Sequence, residues 1–150
     1  MSIEIKQGDL FTTDAAYICH QVNCMGRMGS GIAKTIREKF PTAYEEYYQM
    51  CRYTNRPSEL LGYSQIVNTR GKMIVNLFAQ ERYGFDGRQY TDYDAFRRCL
   101  QMLKRSIARN NRIAFPHGIG CGLGGGDWEV IFQILTEELA DDYEVEVWKL

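Results

Sequence analysis

The sequence predicts an α/β fold in which residues 1–150 form one domain, a three-layer α/β/α sandwich with a mixed central sheet. Apolar segments of strand character alternate with segments of helical periodicity along the whole chain. No internal repeat, low-complexity tract or long linker divides them. A chain of 150 residues also buries roughly two-thirds of the surface that it exposes when unfolded, so a single core is sufficient.

Short apolar runs between turn residues predict the strands. Ile3 and Ile5 alternate with polar neighbours before Gly8, which indicates a first strand that ends in a turn. Further strands are expected at 15–22, 61–67, 73–79, 112–116 and 143–148, with a tight turn at 69–72. The segments 54–58 and 83–91 are polar and are expected to be a connection and a surface loop.

Apolar residues at helical spacing predict four helices. Ile32, Ile36 and Phe40 recur every four residues until Pro41 ends the pattern. Thr42 is expected to cap a second helix. Asp92 is expected to begin the third helix, whose apolar stripe is Phe96, Leu100, Leu103 and Ile107. The apolar stripe of the fourth helix is Trp128, Ile131, Ile134, Leu135 and Leu139.

Charge and composition argue against several functions. The 18 basic and 19 acidic side chains leave a net charge of −1, so a broad positive field towards nucleic acid or anionic lipid is not expected. Five cysteines without a C-x-x-C pair predict neither a disulfide framework nor a zinc site, which is typical of a reducing cytosol. Without a leader or an apolar run of ~18 residues, the chain is expected to be soluble and cytoplasmic. No metal or cofactor is expected.

Two glycine-rich loops, 23–31 and 117–126, each lie between a predicted strand and a predicted helix, and they hold nine of the 14 glycines. Unpaired amide groups and the positive end of a helix dipole favour an anion at such positions. Glycine also lets the main chain approach a ligand closely. We therefore expect the loops to hold two parts of one phosphorylated ligand, while tight turns alone are the alternative explanation.

Two familiar nucleotide motifs do not fit. Gly26 and Gly31 have the spacing of a Walker A loop, but Ile32 and Ala33 follow where Lys and Ser or Thr are needed. The segment 120–125 has the glycine spacing of the dinucleotide fingerprint, yet only one helix and one strand follow it. A redox enzyme that uses NAD is therefore not expected.

Four segments together resemble the macrodomain family, specifically its branch of ADP-ribose 1''-phosphate phosphatases and terminal ADP-ribose protein glycohydrolases. They are Gly8–Leu10, His20–Cys24 with Met28–Ala33, Asn76–Gln80, and Gly118–Gly125. The resemblance covers nearly the whole chain. It implies a mixed sheet between helices that binds ADP-ribose or a derivative across its crest, with an ADP-ribosylated protein as a candidate partner.

The resemblance also implies which residues bind the ligand. Asp9 would accept a hydrogen bond from the adenine amino group, Leu10 would line the same end, and Trp148 would stack on the base. A turn role for Asp9 and a core role for Trp148 remain alternatives. The distal ribose would be surrounded by Asn23, Gly29, Ser30 and Gly31, with Ile32 beside them, and the diphosphate by Gly118, Ile119, Gly120, Cys121, Gly122 and Leu123.

His20 and Asp127 are the catalytic candidates, because hydrolysis at C1'' needs a positioned water and a group that moves protons. Histidine titrates near neutrality, and related phosphatases carry one at a similar place; the alternative is a packed core histidine. Asp127 could orient a water, or it could cap the last helix.

The chain departs from the glycohydrolase branch at two positions. Those enzymes place a nucleophilic lysine near Gln80 or Glu81 and an acidic residue at the position of Gly124. Neither Gln80 nor Glu81 can form a Schiff-base-like adduct. Direct attack by water, assisted by His20 and Asp127, is therefore expected.

Two functions remain open from the sequence. One is a hydrolase that releases phosphate or a modified group from the 1'' position of ADP-ribose, and the other is a module that binds ADP-ribose without changing it. An aromatic segment with Tyr83, Phe85, Tyr90 and Tyr93 could cover the bound sugar, form an interaction surface, or simply cover the surface of the fold.

Overall fold

The computed structural model describes residues 2–150, which form six strands and four α-helices. The strands are β1 (Ser2–Gln7), β2 (Tyr17–Asn23), β3 (Ser64–Asn68), β4 (Met73–Gln80), β5 (Arg112–Pro116) and β6 (Glu144–Lys149). The helices are α1 (Gly31–Lys39), α2 (Pro41–Arg52), α3 (Tyr93–Ser106) and α4 (Trp128–Leu139). Short 3-10 helices occupy Leu10–Thr12 and Pro57–Leu60.

All six strands belong to one sheet, in the order β1-β6-β5-β2-β4-β3. Every neighbouring pair is parallel except β3 and β4, which form an antiparallel hairpin. The hairpin turn at 69–72 is closed by the Thr69 amide, which donates to the Lys72 carbonyl at 3.0 Å. The mixed sheet predicted from the sequence is therefore confirmed.

The helices cover both faces of the sheet and complete the three layers. Apolar side chains of α3 and α4 pack on one face in a large buried cluster that includes Phe96, Leu100 and Leu135. On the other face, α1 and α2 contribute Ile36 and Ala43 to a smaller cluster. The period-3.6 stripes read from the sequence thus face the sheet, as expected for amphipathic helices.

Two local predictions are wrong. Strand β3 begins at Ser64 rather than at residue 61, because the 3-10 helix before it leads into Gly62, whose φ of +91° breaks extended structure. Helix α2 begins at Pro41 and has no capping side chain, so Thr42 is not its cap. Proline suits the first helical position because its missing N–H would have no partner there. Asp92 does cap α3, by accepting from the Ala95 amide at 2.9 Å.

Within residues 2–150, none of the helices has both the length and the apolar character that a membrane crossing requires.

Candidate functional site

A cleft of about 630 Å³ lies at the carboxyl end of the sheet, between the loops that follow β2 and β5. These neighbouring strands continue into helices on opposite faces, α1 after β2 and α4 after β5. Such a reversal opens a crevice at the edge of an α/β sheet, where ligands bind. The lining residues are 20–23, 27, 29–33, 80, 83–85, 116–120 and 122–124.

The loop after β5 presents main-chain donors along one wall of the cleft. Gly118 and Gly120 have φ values of +78° and +77°, which alternate with ordinary conformations and curve the chain. The amides of Ile119 and Cys121 are used inside the loop, in hydrogen bonds of 3.2 and 2.8 Å. Within residues 2–150, the amides of Gly118, Gly120 and Gly122 have no acceptor. A concave row of free N–H groups of this kind binds anions.

The amino end of α1 forms a second part of the lining. Ser30 is the N-cap residue, yet its hydroxyl makes no capping hydrogen bond. The first amides of any α-helix have no partner within the helix, and the helix dipole adds partial positive charge there. The residues of this first turn line the cleft, so it offers a second set of donors to an anionic ligand.

Asn23 fixes the loop between β2 and α1. Its Nδ2 donates to the Arg27 carbonyl at 2.9 Å, and its Oδ1 accepts from the Met25 amide at 2.9 Å and from the Tyr47 hydroxyl at 2.8 Å. Asn23 thereby ties this loop to itself and to α2, and the exposed Arg27 of the loop lines the cleft. Of the lining side chains in the described chain, Arg27 is the one with a full charge at neutral pH.

His20 lies in the floor of the cleft and is 1% exposed. Its Nε2 is 2.5 Å from Oδ1 of Asn76 on the neighbouring strand β4, while its Nδ1 is buried without a partner. Burial lowers the pKa of His20 to about 4, although the hydrogen bond to Asn76 acts in the opposite direction. His20 is therefore neutral at pH 7, and it is a weak base compared with an exposed histidine.

A network of uncharged side chains occupies the adjoining part of the cleft. The Gln21 amide nitrogen donates to Gln80 Oε1 at 2.7 Å and to Thr91 Oγ1 at 2.8 Å. The Thr91 hydroxyl in turn donates to the Gly120 carbonyl at 2.6 Å. Gln21 Oε1 is buried without a partner. The network links β2, β4 and the loop after β5, and it leaves one acceptor unused.

Gln80 and Gly124 are neighbours in this network, and they are the positions at which the sequence departs from the lysine-dependent glycohydrolases. A Cβ atom at Gly124 would lie 3.2 Å from Gln80 Oε1, but only 2.6 Å from Thr91 Oγ1 and 2.8 Å from the Gly120 carbonyl oxygen. An acidic side chain cannot stand at Gly124 unless the loop moves. The local packing therefore leaves no space for a carboxylate at position 124, and Gln80 supplies an amide rather than an amine at this place.

Five predicted site residues lie outside the lining of the cleft. Asp9 accepts from the Phe11 amide and caps the 3-10 helix, and Leu10 is buried in the core. The Trp148 ring lies 3.5 Å from the Cβ position of Gly8, so the structure brings it close to Asp9. The residues outside the lining are Asp9, Leu10, Cys121, Asp127 and Trp148. The other eleven line the cleft.

Asp127 caps the last helix, which was its alternative role in the sequence analysis. Its carboxylate accepts from the Glu129 amide at 2.9 Å as the N-cap of α4, and the residue is exposed. Cys121 is half-buried, and burial raises the pKa of its thiol, so it has no thiolate character at neutral pH.

Gln21 and Arg27 are among the lining residues that the sequence did not assign to the site. Gln21 lies one residue after His20 on β2, so its side chain points to the opposite face of the sheet, and both faces meet at the cleft. Arg27 is the one cation within either glycine-rich loop. That position could have identified it as a candidate for binding the ligand.

A mixed α/β/α sandwich with a crevice between two glycine-rich loops, lined by residues with free main-chain amides, defines the class of protein. The family model described as Macro domain matches residues 19–135, and the chain belongs to this family. The solved structure of the macrodomain of Mycobacterium tuberculosis DarG is similar, with a TM-score of 0.76, 27% identity and 98% of each chain covered. A protein of unknown function from Bacteroides thetaiotaomicron gives a TM-score of 0.80 at 28% identity, covering 100% of this chain and 99% of that one.

Two kinds of curated relative are found. An ADP-ribose 1''-phosphate phosphatase of Aspergillus oryzae is 44% identical over 62 residues, which is 40% of this chain and 31% of that protein. A DNA ADP-ribosyl glycohydrolase of Mycobacterium tuberculosis is 29% identical over 139 residues, which is 89% of this chain and 38% of that protein. The chain thus matches well under two-thirds of the length of these relatives.

Proposed function

We propose that this macrodomain binds ADP-ribose and hydrolyses ADP-ribose derivatives at the 1'' position of the distal ribose. The observation that carries the proposal is the set of acceptor-free amides at Gly118, Gly120 and Gly122, in a loop that lines the same cleft as the amino end of α1. Together these donors can surround a diphosphate without an excess of basic side chains.

The proposed orientation of the ligand extends from the cleft to Asp9 and Trp148, which lie outside its lining. The adenine is proposed to lie near Asp9 and Trp148, which are adjacent to each other at the ends of β1 and β6. An ionised carboxylate only accepts hydrogen bonds and so suits an exocyclic amine. The distal ribose is proposed to lie near Asn23 and Ser30, which places C1'' close to His20.

The proposed reaction is attack of water on the distal ribose or on the group attached to it. Relatives named as a phosphatase and as a glycohydrolase support a hydrolytic activity. A lysine adduct is disfavoured because Gln80 stands in the cleft and Gly124 leaves no room for an acid. His20 is better placed than Asp127 to contact the reacting group, since only His20 lines the cleft.

A module that binds ADP-ribose without hydrolysing it is the second candidate. The observation in its favour is the scarcity of acid–base groups, since the lining side chains of the described chain include no carboxylate. His117 also lines the cleft, but burial and Lys149 lower its pKa. A site of this kind binds a polar ligand readily and offers little general acid catalysis.

Isothermal titration with ADP-ribose tests the premise that both candidates share. Heat of binding is expected, and folded protein that releases no heat would overturn the whole proposal. Three substrates then separate the candidates: ADP-ribose 1''-phosphate, an ADP-ribosylated protein, and ADP-ribosylated DNA. The third is included because the mycobacterial relative is named a DNA ADP-ribosyl glycohydrolase. Turnover of any one supports the hydrolase, and binding without turnover of all three supports the module.

His20→Ala and Asp127→Ala test the assignment of the catalytic residues. For His20→Ala, loss of turnover is expected, with ADP-ribose binding weakened but still measurable by calorimetry. Asp127→Ser is the matched control for Asp127→Ala, because serine keeps the helix cap but has no carboxylate. Loss of turnover in both variants would indicate a catalytic role for Asp127. A cytoplasmic location is also proposed; its support is that all five cysteines are free.

A further inference from the structure

The side chain of Asn76 has only one orientation that fits its neighbours. One of its amide atoms lies 3.4 Å from the main-chain carbonyl oxygen of Ala43, which can only accept a hydrogen bond. That atom must therefore be the Nδ2 donor, which also donates to Gln65 Oε1 at 3.0 Å. The carbonyl oxygen of the Asn76 amide is consequently the atom that faces His20.

This orientation decides which nitrogen of His20 carries the proton. Asn76 Oδ1 can only accept, so His20 Nε2, at 2.5 Å, must be the donor. In a neutral imidazole the other nitrogen then has a lone pair and no proton. That nitrogen, Nδ1, is buried and unpartnered in a residue that lines the cleft.

We propose that Asn76 is a positioning residue that holds His20 as the Nε2–H tautomer, so that His20 Nδ1 accepts a hydrogen bond from a hydroxyl group of the distal ribose. The inference rests on the proposed binding of ADP-ribose. A hydroxyl group is the required partner because phosphate oxygens at neutral pH are acceptors and would face the lone pair without a bond. In this arrangement the main-chain amides bind the anionic diphosphate, and His20 accepts a hydrogen bond from the sugar hydroxyl.

Nitrogen-15 NMR of the whole chain tests this directly, because the chain contains only two histidines, His20 and His117. A His117→Gln variant assigns the signals. At neutral pH, His20 is expected to show an unprotonated Nδ1 and a protonated Nε2. ADP-ribose at saturation should move the Nδ1 signal towards that of a hydrogen-bonded nitrogen, whereas ADP, which lacks the distal ribose, should leave it in place.

Two outcomes of this experiment overturn the inference. The first is a protonated Nδ1 in the free protein. The second is an Nδ1 signal that does not move with ADP-ribose although calorimetry records binding. Absence of binding heat would instead refute the proposed function itself, so the two failures are distinguishable.

Substitutions test the part played by Asn76. Asn76→Asp places a carboxylate beside Nε2, which draws a second proton onto the ring and turns Nδ1 from an acceptor into a donor. Affinity for ADP-ribose should fall at least tenfold, while affinity for ADP stays within twofold. Equal losses for both ligands would contradict a positioning role.

Gln65→Met is the second variant, for use if Asn76→Asp does not fold. It removes the acceptor that helps to orient Asn76, so a mixture of His20 tautomers and a smaller selective loss of ADP-ribose affinity are expected. Ser64→Ala is the matched control, since Ser64 Oγ is buried without a partner on the same strand, β3. If Gln65→Met changed neither the His20 Nδ1 signal nor the ratio of ADP-ribose to ADP affinity, this would contradict a role for the hydrogen bonds that link Gln65, Asn76 and His20.

Discussion

Protonation of His20 should destabilise this fold between pH 7 and pH 4. Burial lowers the pKa of His20 from its ordinary value of 6.5 to about 4, so the unfolded chain binds a proton in this range that the folded chain does not. Stability contributed by the neutral side chain is present above about pH 6.5 and is lost as the pH falls towards 4. At about 1.4 kcal/mol per pH unit, this amounts to about 3 kcal/mol between these limits.

The assay is chemical denaturation at a series of pH values, carried out on the wild type and on His20→Gln. Glutamine cannot titrate, and its amide can still donate to Asn76. The free energy of unfolding of the wild type should fall by about 3 kcal/mol more than that of the variant on going from pH 7 to pH 4.

Other titrating groups are common to both proteins and cancel in this comparison. His117, whose pKa is also lowered, is one of these groups: it destabilises both proteins in the same direction, and a His117→Gln variant measures its share. Burial raises the pKa of Glu146, but hydrogen bonds from Thr13 and Trp148, together with the charge of Lys6, hold it below its ordinary value. Its contribution to stability is therefore lost only at lower pH, as the carboxylate becomes protonated. Parallel pH profiles for wild type and His20→Gln would refute the assignment of a buried, neutral His20.

Three further outcomes are expected. Gly120→Ala should abolish ADP-ribose binding, because its Cβ would lie 2.8 Å from Gln21 Oε1 at a φ of +77°. The control is Gly71→Ala, in the hairpin turn, where φ is +88° and the space around the Cβ is open. This control should lose about 1 kcal/mol of stability and keep full affinity by calorimetry. Asp127→Ala should lower the free energy of unfolding by ~1 kcal/mol through loss of the α4 cap, and Asp127→Ser should restore it; equal stabilities in thermal denaturation would contradict the capping role. Phe85→Ser should leave stability unchanged, because the ring is 72% exposed, and should weaken ADP-ribose binding if the aromatic segment covers the sugar; unchanged affinity would show that it does not.

Local patterns in the sequence were enough to predict the layers of this protein. The periods of 2 and 3.6 in its apolar residues identify strands and helices, because burial on one side of each element imposes that spacing. Glycines clustered after two strands predicted a crevice, since strand ends, loops and helix starts meet at one edge of the sheet. The misplaced start of β3 and the absent Thr42 cap are boundary errors, at positions where several residues satisfy the backbone equally well.

The chemistry of the site depended on partners that no local pattern contains. His20 is an attractive base in the sequence, but Asn76, 56 residues away, and the surrounding core set its tautomer and its pKa. Asp127 follows a ligand loop directly, yet its carboxylate turns to the helix that it begins. The order of residues therefore determined which elements form and where the chain can approach an anion. Only the packed structure decided which side chains keep a free polar atom in the cleft, because desolvation and hydrogen bonding depend on residues distant in the chain.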